Sequence, residues 1–321
     1  MQKRQLGQSG LETTVLTFGC WQAGGSEWSD TNDADSVAAM KAAYEIGINS
    51  FDTAEGYGGG HSERIVGQFL REVSADDILV FTKVGAANLS AQNVKSSCEE
   101  SLRNLGREKI DLYQIHWPAG TWGTPIVPIE ETMGALVKLQ DEGKIGAIGV
   151  SNFTGEQIEE ALCFGRIESL QPPYSLFFQP YVENNTIEVC QKHNIGVIPY
   201  SPLAQGLVTG KFTHENRPTD NRANNHIFKD PTYSMALEAV EKLKPISAKY
   251  GATTAQVALA WLIAQPGITS PIVGARNAEQ IRDTAKAADL VLEANDLQVI
   301  SQLATPVLDS QPADKTNPWA G

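Results

Sequence analysis

Four side chains at or just beyond the ends of three apolar runs could together move a proton. Asp52 ends the run INSFD, Lys83 ends DILVFTK and His116 follows IDLYQI, while Tyr57 lies in the stretch after Asp52. A phenol has a reference pKa near ~10, and a neighbouring ammonium group favours its ionised form. We expect Asp52 to hold Lys83, and Lys83 to tune the Tyr57 phenol. An imidazole beside them suits the delivery of a proton to an oxygen that has just accepted a hydride.

The elements that must position these side chains alternate between short apolar runs and helical patterns. Helices are predicted between the runs, with Ser90, Thr154 and Asn277 at N-cap positions. Strict alternation predicts parallel strands joined by helical crossovers. Eight such units predict an α/β fold of the (β/α)8 TIM-barrel type, with the site at the carboxyl ends of the strands. The runs that we assign to strands are 14–19, 48–52, 77–83, 110–115, 144–150, 168–171, 195–200 and 269–273.

Two further segments complete the predicted barrel. Residues 4–13, with the turn QSG, predict a short N-terminal hairpin that closes the barrel floor. Gly58–Gly60 is expected to form a turn that leads into a helix capped by Ser62. A doubly wound sheet is the alternative, but the stretch FGCWQAGG after the first strand does not read GxGxxG, and the sequence contains no Walker A pattern.

Composition and charge exclude several classes of protein. The 321 residues carry a formal net charge of -13, which disfavours nucleic acid and anionic lipid as partners. No apolar stretch is long enough to span a bilayer, and the N-terminus lacks the apolar region of a secretory signal. The four cysteines form no CxxC pair, so no metal site is expected. We expect a cytoplasmic, monomeric protein with one domain over residues 1–321.

Several stretches spread over nearly the whole chain resemble the aldo-keto reductase superfamily. They are FDTAEGYGGGHSE, LVFTKVG, DLYQIHWP, GKIGAIGVSNF, LQPPYSLF, IPYSPLAQGLVTGKF and IVGARNAEQI. Their sequences are more similar to those of the bacterial oxidoreductases related to potassium-channel β-subunits than to those of the aldose reductase branch. The resemblance implies an NADP(H)-dependent exchange between a small-molecule carbonyl and its alcohol, without a metal.

The resemblance also implies roles for particular residues. Tyr57 would be the general acid/base, with Lys83 and Asp52 lowering its pKa and His116 orienting the substrate. Tyr200 would stack on the nicotinamide ring. Trp21 and Trp117 follow strand ends, so we expect them to wall the substrate pocket, to which Trp28 and Trp122 of the neighbouring loops could add. The nicotinamide carboxamide would be bound by Ser151, Asn152 and Gln171. The remaining cofactor residues would be Ser201, Leu203, Gln205 and Gly206 at the pyrophosphate, Lys211 and Arg222 from the following loop, and Gly274, Arg276 and Gln280 at the adenosine 2′-phosphate.

At two places the sequence differs from the family's usual pattern, and both bear on cofactor binding. Ser175 stands where relatives commonly have Asn, and Asp283-Thr284 replaces a Glu-Asn pair often seen at the adenine. Arg276 remains the main argument for NADP, because a guanidinium group binds phosphate through two parallel hydrogen bonds.

Three other interpretations of these residues were considered. Asp52 and Lys83 alone would equally suit a structural ion pair. The resemblance to channel β-subunits allows a cofactor-binding redox sensor that acts through a protein partner. A hydrolase with paired carboxylates is disfavoured, because Asp52 is the only carboxylate at a predicted strand end.

Overall fold

A closed barrel of parallel strands occupies the centre of the protein. The computed structural model describes residues 1–25 and 32–312. The strands are β1 (Lys3–Gln5), β2 (Glu12–Thr14), β3 (Thr17–Gly19), β4 (Ser50–Asp52), β5 (Leu79–Val84), β6 (Ile110–Ile115), β7 (Ile145–Ser151), β8 (Ser169–Gln171), β9 (Gly196–Val197) and β10 (Ile272–Gly274). Eight of them form one parallel sheet in the order β10-β3-β4-β5-β6-β7-β8-β9. Backbone bonds of 2.8 Å from Thr269 N to Val197 O and from Ile272 N to Pro199 O join its two edges. The (β/α)8 prediction is confirmed.

Helices alternate with the barrel strands and cover them. They are α1 (Asp33–Glu45), α2 (His61–Val73), α3 (Ala91–Leu105), α4 (Ile129–Asp141), α5 (Gly155–Leu162), α6 (Pro180–Glu183), α7 (Thr186–Lys192), α8 (Thr232–Lys249), α9 (Thr254–Ile263), α10 (Ala278–Thr284) and α11 (Ala294–Asp309). Ser90, Thr154 and Asn277 cap α3, α5 and α10 as predicted, and Thr154 forms a full capping box with Gln157. Within the described ranges, no helix is both long and apolar enough to cross a bilayer.

The predicted N-terminal hairpin closes the lower end of the barrel. β1 and β2 pair antiparallel, with Lys3 opposite Thr14. Arg4 fixes the hairpin by donating from Nη1 to the carbonyl oxygens of Ile263 (3.1 Å) and Ile268 (2.6 Å). Leu6 is fully buried between the strands. It forms a small apolar cluster inside the barrel with Phe81, Leu112, Ala147 and Ile198.

Two local predictions are wrong. The first barrel strand is Thr17–Gly19 rather than 14–19, because Thr14 belongs to the hairpin and donates its hydroxyl to Leu16 O at 2.8 Å. Ser62 does not cap α2, which begins at His61 after Gly60 in a left-handed conformation (φ +80°). The buried Ser62 hydroxyl instead donates to Cys20 O at 2.7 Å and ties the helix to the end of β3.

Candidate active site

Asp52, Lys83 and Tyr57 meet at the carboxyl-terminal mouth of the barrel. Lys83 Nζ lies 2.6 Å from Asp52 Oδ1, 2.7 Å from Thr53 O and 3.4 Å from the Tyr57 hydroxyl. Lys83 is completely buried and Asp52 is 3% exposed. An ammonium group in the barrel interior is thus paired with one carboxylate and directed at one phenol. The third predicted strand-end residue, His116, packs its ring edge-on against Tyr57, with the ring centroids 5.7 Å apart.

The electrostatics of this group keep two of its members in their neutral forms. Burial raises the pKa of the Tyr57 phenol; the Lys83 charge opposes the rise and the Asp52 charge adds to it. The implied lowering of the Tyr57 pKa by Asp52 is therefore wrong, because the Asp52 charge raises that pKa. Burial also disfavours the Lys83 ammonium, but Asp52 and Tyr57 outweigh it and raise the pKa of Lys83. Burial, together with Lys83, lowers the pKa of His116 to about 3.

The second oxygen of Asp52 is bound by two amides that sequence reasoning did not assign to it. Gln171 Nε2 lies 2.8 Å and Gln114 Nε2 3.4 Å from Asp52 Oδ2. From the sequence we assigned no role to Gln114, although its position in the strand indicates that its side chain faces the barrel interior. It lies two residues before His116 and two after the inward-facing Leu112, so alternation directs it into the barrel. Gln171 is brought to the site as predicted.

The residues predicted around the nicotinamide carboxamide form one hydrogen-bonded group at the ends of β7 and β8. Ser151 Oγ donates to Gln171 O at 2.7 Å. Asn152 Nδ2 donates to His116 O at 3.0 Å, and Asn152 Oδ1 accepts from the Tyr200 hydroxyl at 2.9 Å. Asn152 has a left-handed backbone (φ +62°). These bonds fix the Asn152 amide between His116 and Tyr200.

The loop predicted at the pyrophosphate has an unusual backbone. Ser201, Gln205 and Gly206 all have positive φ angles of +54°, +55° and +94°. Leu203 precedes the 3-10 turn Ala204–Thr209. A Cβ at Gly206 would lie 3.0 Å from Lys211 Nζ, so that ammonium group rests directly on the glycine. Backbone N–H groups in such left-handed turns commonly converge on anions.

A group of three cations lies beside this loop in an otherwise acidic chain. Burial, then the charges of Arg222 and Arg276, lower the pKa of Lys211, while Asp220 opposes the shift. Arg222 also donates to Gln205 O at 3.4 Å. Arg276 lies just after Gly274, the exposed last residue of β10, and its backbone N–H donates to Gln280 Oε1 at 2.8 Å. The predicted cofactor residues of the two loops therefore lie within electrostatic reach of one another.

Aromatic side chains flank the mouth. The Trp21 ring lies 6.3 Å from the Tyr57 ring, and the half-buried Trp117 packs on Trp122 at 4.7 Å between ring centroids. Trp28, a weaker candidate for the pocket wall, lies outside the described residues. Among residues 1–25 and 32–312, no group of three histidine, cysteine or carboxylate side chains is arranged to hold a metal ion.

Comparisons with known proteins show similarity over nearly the whole chain. The chain is 32% identical over 326 residues to an NADH-specific methylglyoxal reductase of Escherichia coli, covering 95% of this chain and 98% of the relative. It is 32% identical over 317 residues to a probable voltage-gated potassium channel subunit beta of Arabidopsis thaliana, covering 91% and 92%. A glycerol dehydrogenase from Gluconobacter oxydans superposes with a TM-score of 0.86 at 30% identity, over 98% of each chain.

The match extends to the family as a whole. Residues 15–305 match the sequence model of the aldo/keto reductase family. That range holds all eight barrel strands and every residue of the site described above. By sequence and by fold, the chain belongs to the aldo/keto reductase family of oxidoreductases.

Proposed function

We propose that this protein is an NADP(H)-dependent oxidoreductase that interconverts aldehydes or ketones and alcohols, with Tyr57 as the general acid/base. The observation that carries the proposal is the position of the Lys83 ammonium group, 3.4 Å below the Tyr57 hydroxyl and 2.6 Å from Asp52 Oδ1. A purely structural ion pair would not require a half-buried phenol above it and an imidazole edge-on to that phenol.

Each side chain has a distinct task in the proposed reaction. In reduction, the neutral Tyr57 hydroxyl gives its proton to the oxygen of the carbonyl compound, and Lys83 stabilises the phenolate that remains. Asp52 keeps Lys83 charged and in place. Because the pKa of His116 is about 3, its imidazole is neutral at physiological pH and can donate an N–H to the same oxygen. In oxidation, the Tyr57 phenolate takes the proton from the alcohol.

The residues fit a nicotinamide cofactor, which supplies or accepts the hydride when bound. Gln205 Oε1 is buried and has no hydrogen-bond partner among the described residues, next to the left-handed turn at Gly206. The polar ends of β7 and β8 offer amide and hydroxyl groups to a carboxamide. Lys211, Arg222 and Arg276 would hold the phosphates, with Ser201, Leu203, Gly274 and Gln280 beside them.

The preference for NADP over NAD rests on Arg276 and is tested by its removal. A guanidinium bound to a 2′-phosphate contributes to NADPH binding and not to NADH binding. We expect Arg276→Ala to weaken NADPH binding roughly tenfold to hundredfold and NADH binding less than threefold. Arg282→Ala is the matched control, because it removes an exposed arginine of α10 that is paired with Glu45 of α1. Equal losses for both cofactors would overturn the NADP assignment. The relationship to an NADH-specific enzyme makes NADH the competing outcome.

Turnover is tested with wild type beside Tyr57→Phe. The assay follows NADPH and NADH consumption with an activated aromatic aldehyde, and alcohol oxidation in the reverse direction. We expect Tyr57→Phe to lose at least about a hundredfold in kcat and to bind the cofactor normally, since general acid catalysis contributes on that scale. Tyr44→Phe is the control, because its hydroxyl bonds Asp77 on the outside of the barrel. Undiminished turnover in Tyr57→Phe would refute its role.

A cofactor-binding redox sensor is the alternative, favoured by the likeness to a probable channel β-subunit. It predicts tight cofactor binding, no multiple turnover on a broad panel of carbonyls and alcohols, and a stable complex with another protein. The reductase proposal predicts a cytoplasmic monomer with one catalytic domain over residues 1–321. Light scattering and turnover measured on the same sample distinguish the two.

A further inference from the structure

Tyr57 differs from Asp52 and Lys83 in being carried by a turn rather than by a strand. The turn, residues 54–60, contains four glycines, and the three at residues 58–60 have left-handed φ angles of +61°, +58° and +80°. Glycine allows more backbone conformations than any other residue, so such a turn has little stiffness of its own. The Tyr57 hydroxyl nevertheless lies 3.4 Å from Lys83 Nζ. Contacts from outside the turn are needed to keep that separation.

Glu55, inside this turn, supplies such a contact by extending the hydrogen-bond ladder between β4 and β5. Lower in the ladder, Leu79 N donates to Asn49 O at 2.7 Å. A continued parallel ladder would pair Gly85 N with Glu55 O in the same way, again 30 positions apart along the chain. The Glu55 carbonyl instead accepts from Gly60 N at 2.8 Å, and the side chain takes its place in the ladder, with Oε1 2.7 Å from Gly85 N. One residue thus closes the turn with its backbone and joins the turn to the end of β5 with its side chain.

The Glu55 carboxylate is bound by two groups of the segment that follows Lys83. Besides the N–H of Gly85, the side-chain amide of Asn88 donates to Glu55 Oε1, at 2.9 Å. A Cβ at position 85 would lie only 3.1 Å from that oxygen, so the glycine leaves room for the carboxylate. Hydrogen bonds to an ionised acceptor are roughly twice as strong as those between neutral groups. The turn of Tyr57 and the segment after Lys83 are therefore joined by two charge-assisted bonds.

We propose that Glu55 is a positioning residue that sets the separation between the Tyr57 hydroxyl and the Lys83 ammonium group. The inference rests on the proposed function, in which Lys83 stabilises the phenolate that Tyr57 leaves after it gives up its proton. Glu55 acts through the backbone, because its bonds hold the turn against the end of β5, where Asp52 fixes Lys83. An error of about 1 Å in such geometry can cost roughly a hundredfold in rate. The role requires the acceptor oxygen of Glu55 and not its charge.

The first test measures kcat for aldehyde reduction, the cofactor Kd and the Tm of Glu55→Ala and Glu55→Gln beside wild type. Glu55→Ala removes the acceptor, and we expect kcat to fall roughly tenfold to hundredfold, with the cofactor Kd within about threefold. Glu55→Gln keeps a carbonyl oxygen for the same two donors and should retain at least about a third of the wild-type kcat. A loss in Glu55→Gln as large as that in Glu55→Ala, or a change in Kd as large as that in kcat, would overturn the proposal.

Asp111→Ala is the matched control for an effect on stability alone. Asp111 Oδ2 accepts from Val80 N at 2.8 Å, so this carboxylate also binds a backbone N–H of β5, but near the amino-terminal end of the strand. Its removal should lower the Tm as Glu55→Ala does, because each variant leaves a backbone donor unpaired, and should leave kcat within about twofold of wild type. If kcat fell as far in Asp111→Ala as in Glu55→Ala, loss of stability would explain both and the positioning role would be wrong.

A titration of the phenol decides the inference even if the protein reduces no aldehyde. In protein labelled with 3-fluorotyrosine, the fluorine NMR signal of Tyr57 is identified by its loss in Tyr57→Phe, and its pKa is then measured in each variant. The Lys83 charge opposes the rise in the pKa of Tyr57, so a longer separation should raise that pKa further, by roughly one pH unit in Glu55→Ala.

The direction of the change separates position from charge. Loss of the Glu55 charge by itself would lower the pKa of Tyr57 in both Glu55 variants, because a nearby negative charge disfavours the phenolate. A rise that occurs in Glu55→Ala, and in neither Glu55→Gln nor Asp111→Ala, therefore indicates a longer distance to Lys83. Absent turnover with this result would refute the proposed function and keep the positioning role. An unchanged or lowered pKa in Glu55→Ala would overturn the positioning role, whatever the turnover.

Discussion

Gln171 donates its side-chain amide to Oδ2 of Asp52 across 2.8 Å, on the side of the carboxylate opposite Lys83. Lys83 binds Oδ1 at 2.6 Å, so both oxygens of a buried anion are satisfied by groups from different strands. A buried charge is tolerated only when it is paired and hydrogen-bonded. The orientation of Asp52, and through it that of Lys83, therefore depends on an amide at the floor of the proposed cofactor site.

Gln114 supplies the second amide and should influence catalysis without touching the substrate. Gln114→Leu leaves Asp52 Oδ2 with Gln171 as its remaining donor among those described. Because the lost bond is long, at 3.4 Å, we expect a roughly fivefold lower kcat, with the cofactor Kd within twofold. Leu112→Met, two residues earlier on the same inward side, is the control. Stopped-flow and equilibrium binding measure both quantities, and a larger change in Kd than in kcat would contradict this role.

Lys83→Met should reduce stability as well as activity. It leaves the Asp52 carboxylate buried without its counter-ion, which costs about 3–5 kcal/mol in the free energy of unfolding. The double variant Asp52→Asn/Lys83→Met removes the charge and should recover most of that loss while remaining inactive. Urea denaturation of the three proteins gives the values. If the double variant were no more stable than Lys83→Met, an unpaired charge would not be the cause.

The stability of the protein should fall between pH 6.5 and pH 4 in a manner that depends on His116. The folded-state pKa of about 3 lies below the unfolded value near ~6.5. Between these values the unfolded chain binds a proton that the folded chain does not, so stability decreases as the pH falls. We expect the Tm of wild type to drop more than that of His116→Gln over this range. Parallel curves for wild type and His116→Gln would contradict the prediction.

The two directions of the reaction should depend differently on pH. Burial raises the pKa of Tyr57 above its usual value, so the phenol remains protonated through the neutral range. Carbonyl reduction, which uses the protonated form, should have a kcat that is nearly constant from pH 6 to 9. Alcohol oxidation needs the phenolate and should rise by about tenfold per pH unit over the same range. Initial rates in both directions check this, provided that chemistry limits the rate. A reductive rate that falls by half below pH 9 would place the pKa lower.

The sequence predicted the barrel and which strand-end residues lie together at its mouth, because both follow from local patterns. Alternating strands and helices indicate parallel pairing, and carboxyl ends of parallel strands share one rim, so Asp52, Lys83 and His116 had to meet. The helix caps at Ser90, Thr154 and Asn277 were equally readable, since each depends on a few neighbouring residues. The prediction for Ser62 was wrong because serine, which often caps helices, can also lie in the first turn of a helix. There its hydroxyl can donate to a nearby buried carbonyl, here Cys20 O.

What escaped prediction depends on contacts across the barrel. Nothing in the sequence around Gln114 indicates that it shares Asp52 with Gln171, 57 positions further along the chain. The balance that sets the pKa of Tyr57 was misjudged for the same reason, because depth of burial is a property of the closed barrel. The left-handed backbone at Trp122 also has no sequence signature, since residues of this type rarely adopt it.

The N-terminal hairpin has a consequence for the order of events in turnover. Arg4 and Leu6 seal the lower end of the barrel, which leaves the upper mouth as the doorway for every ligand of the proposed reaction. The cofactor and the substrate would therefore enter through the same opening and bind one after the other. In the proposed reaction the cofactor would lie deeper, against Gln171 and Asn152, so it would bind before the substrate and dissociate after the product has left.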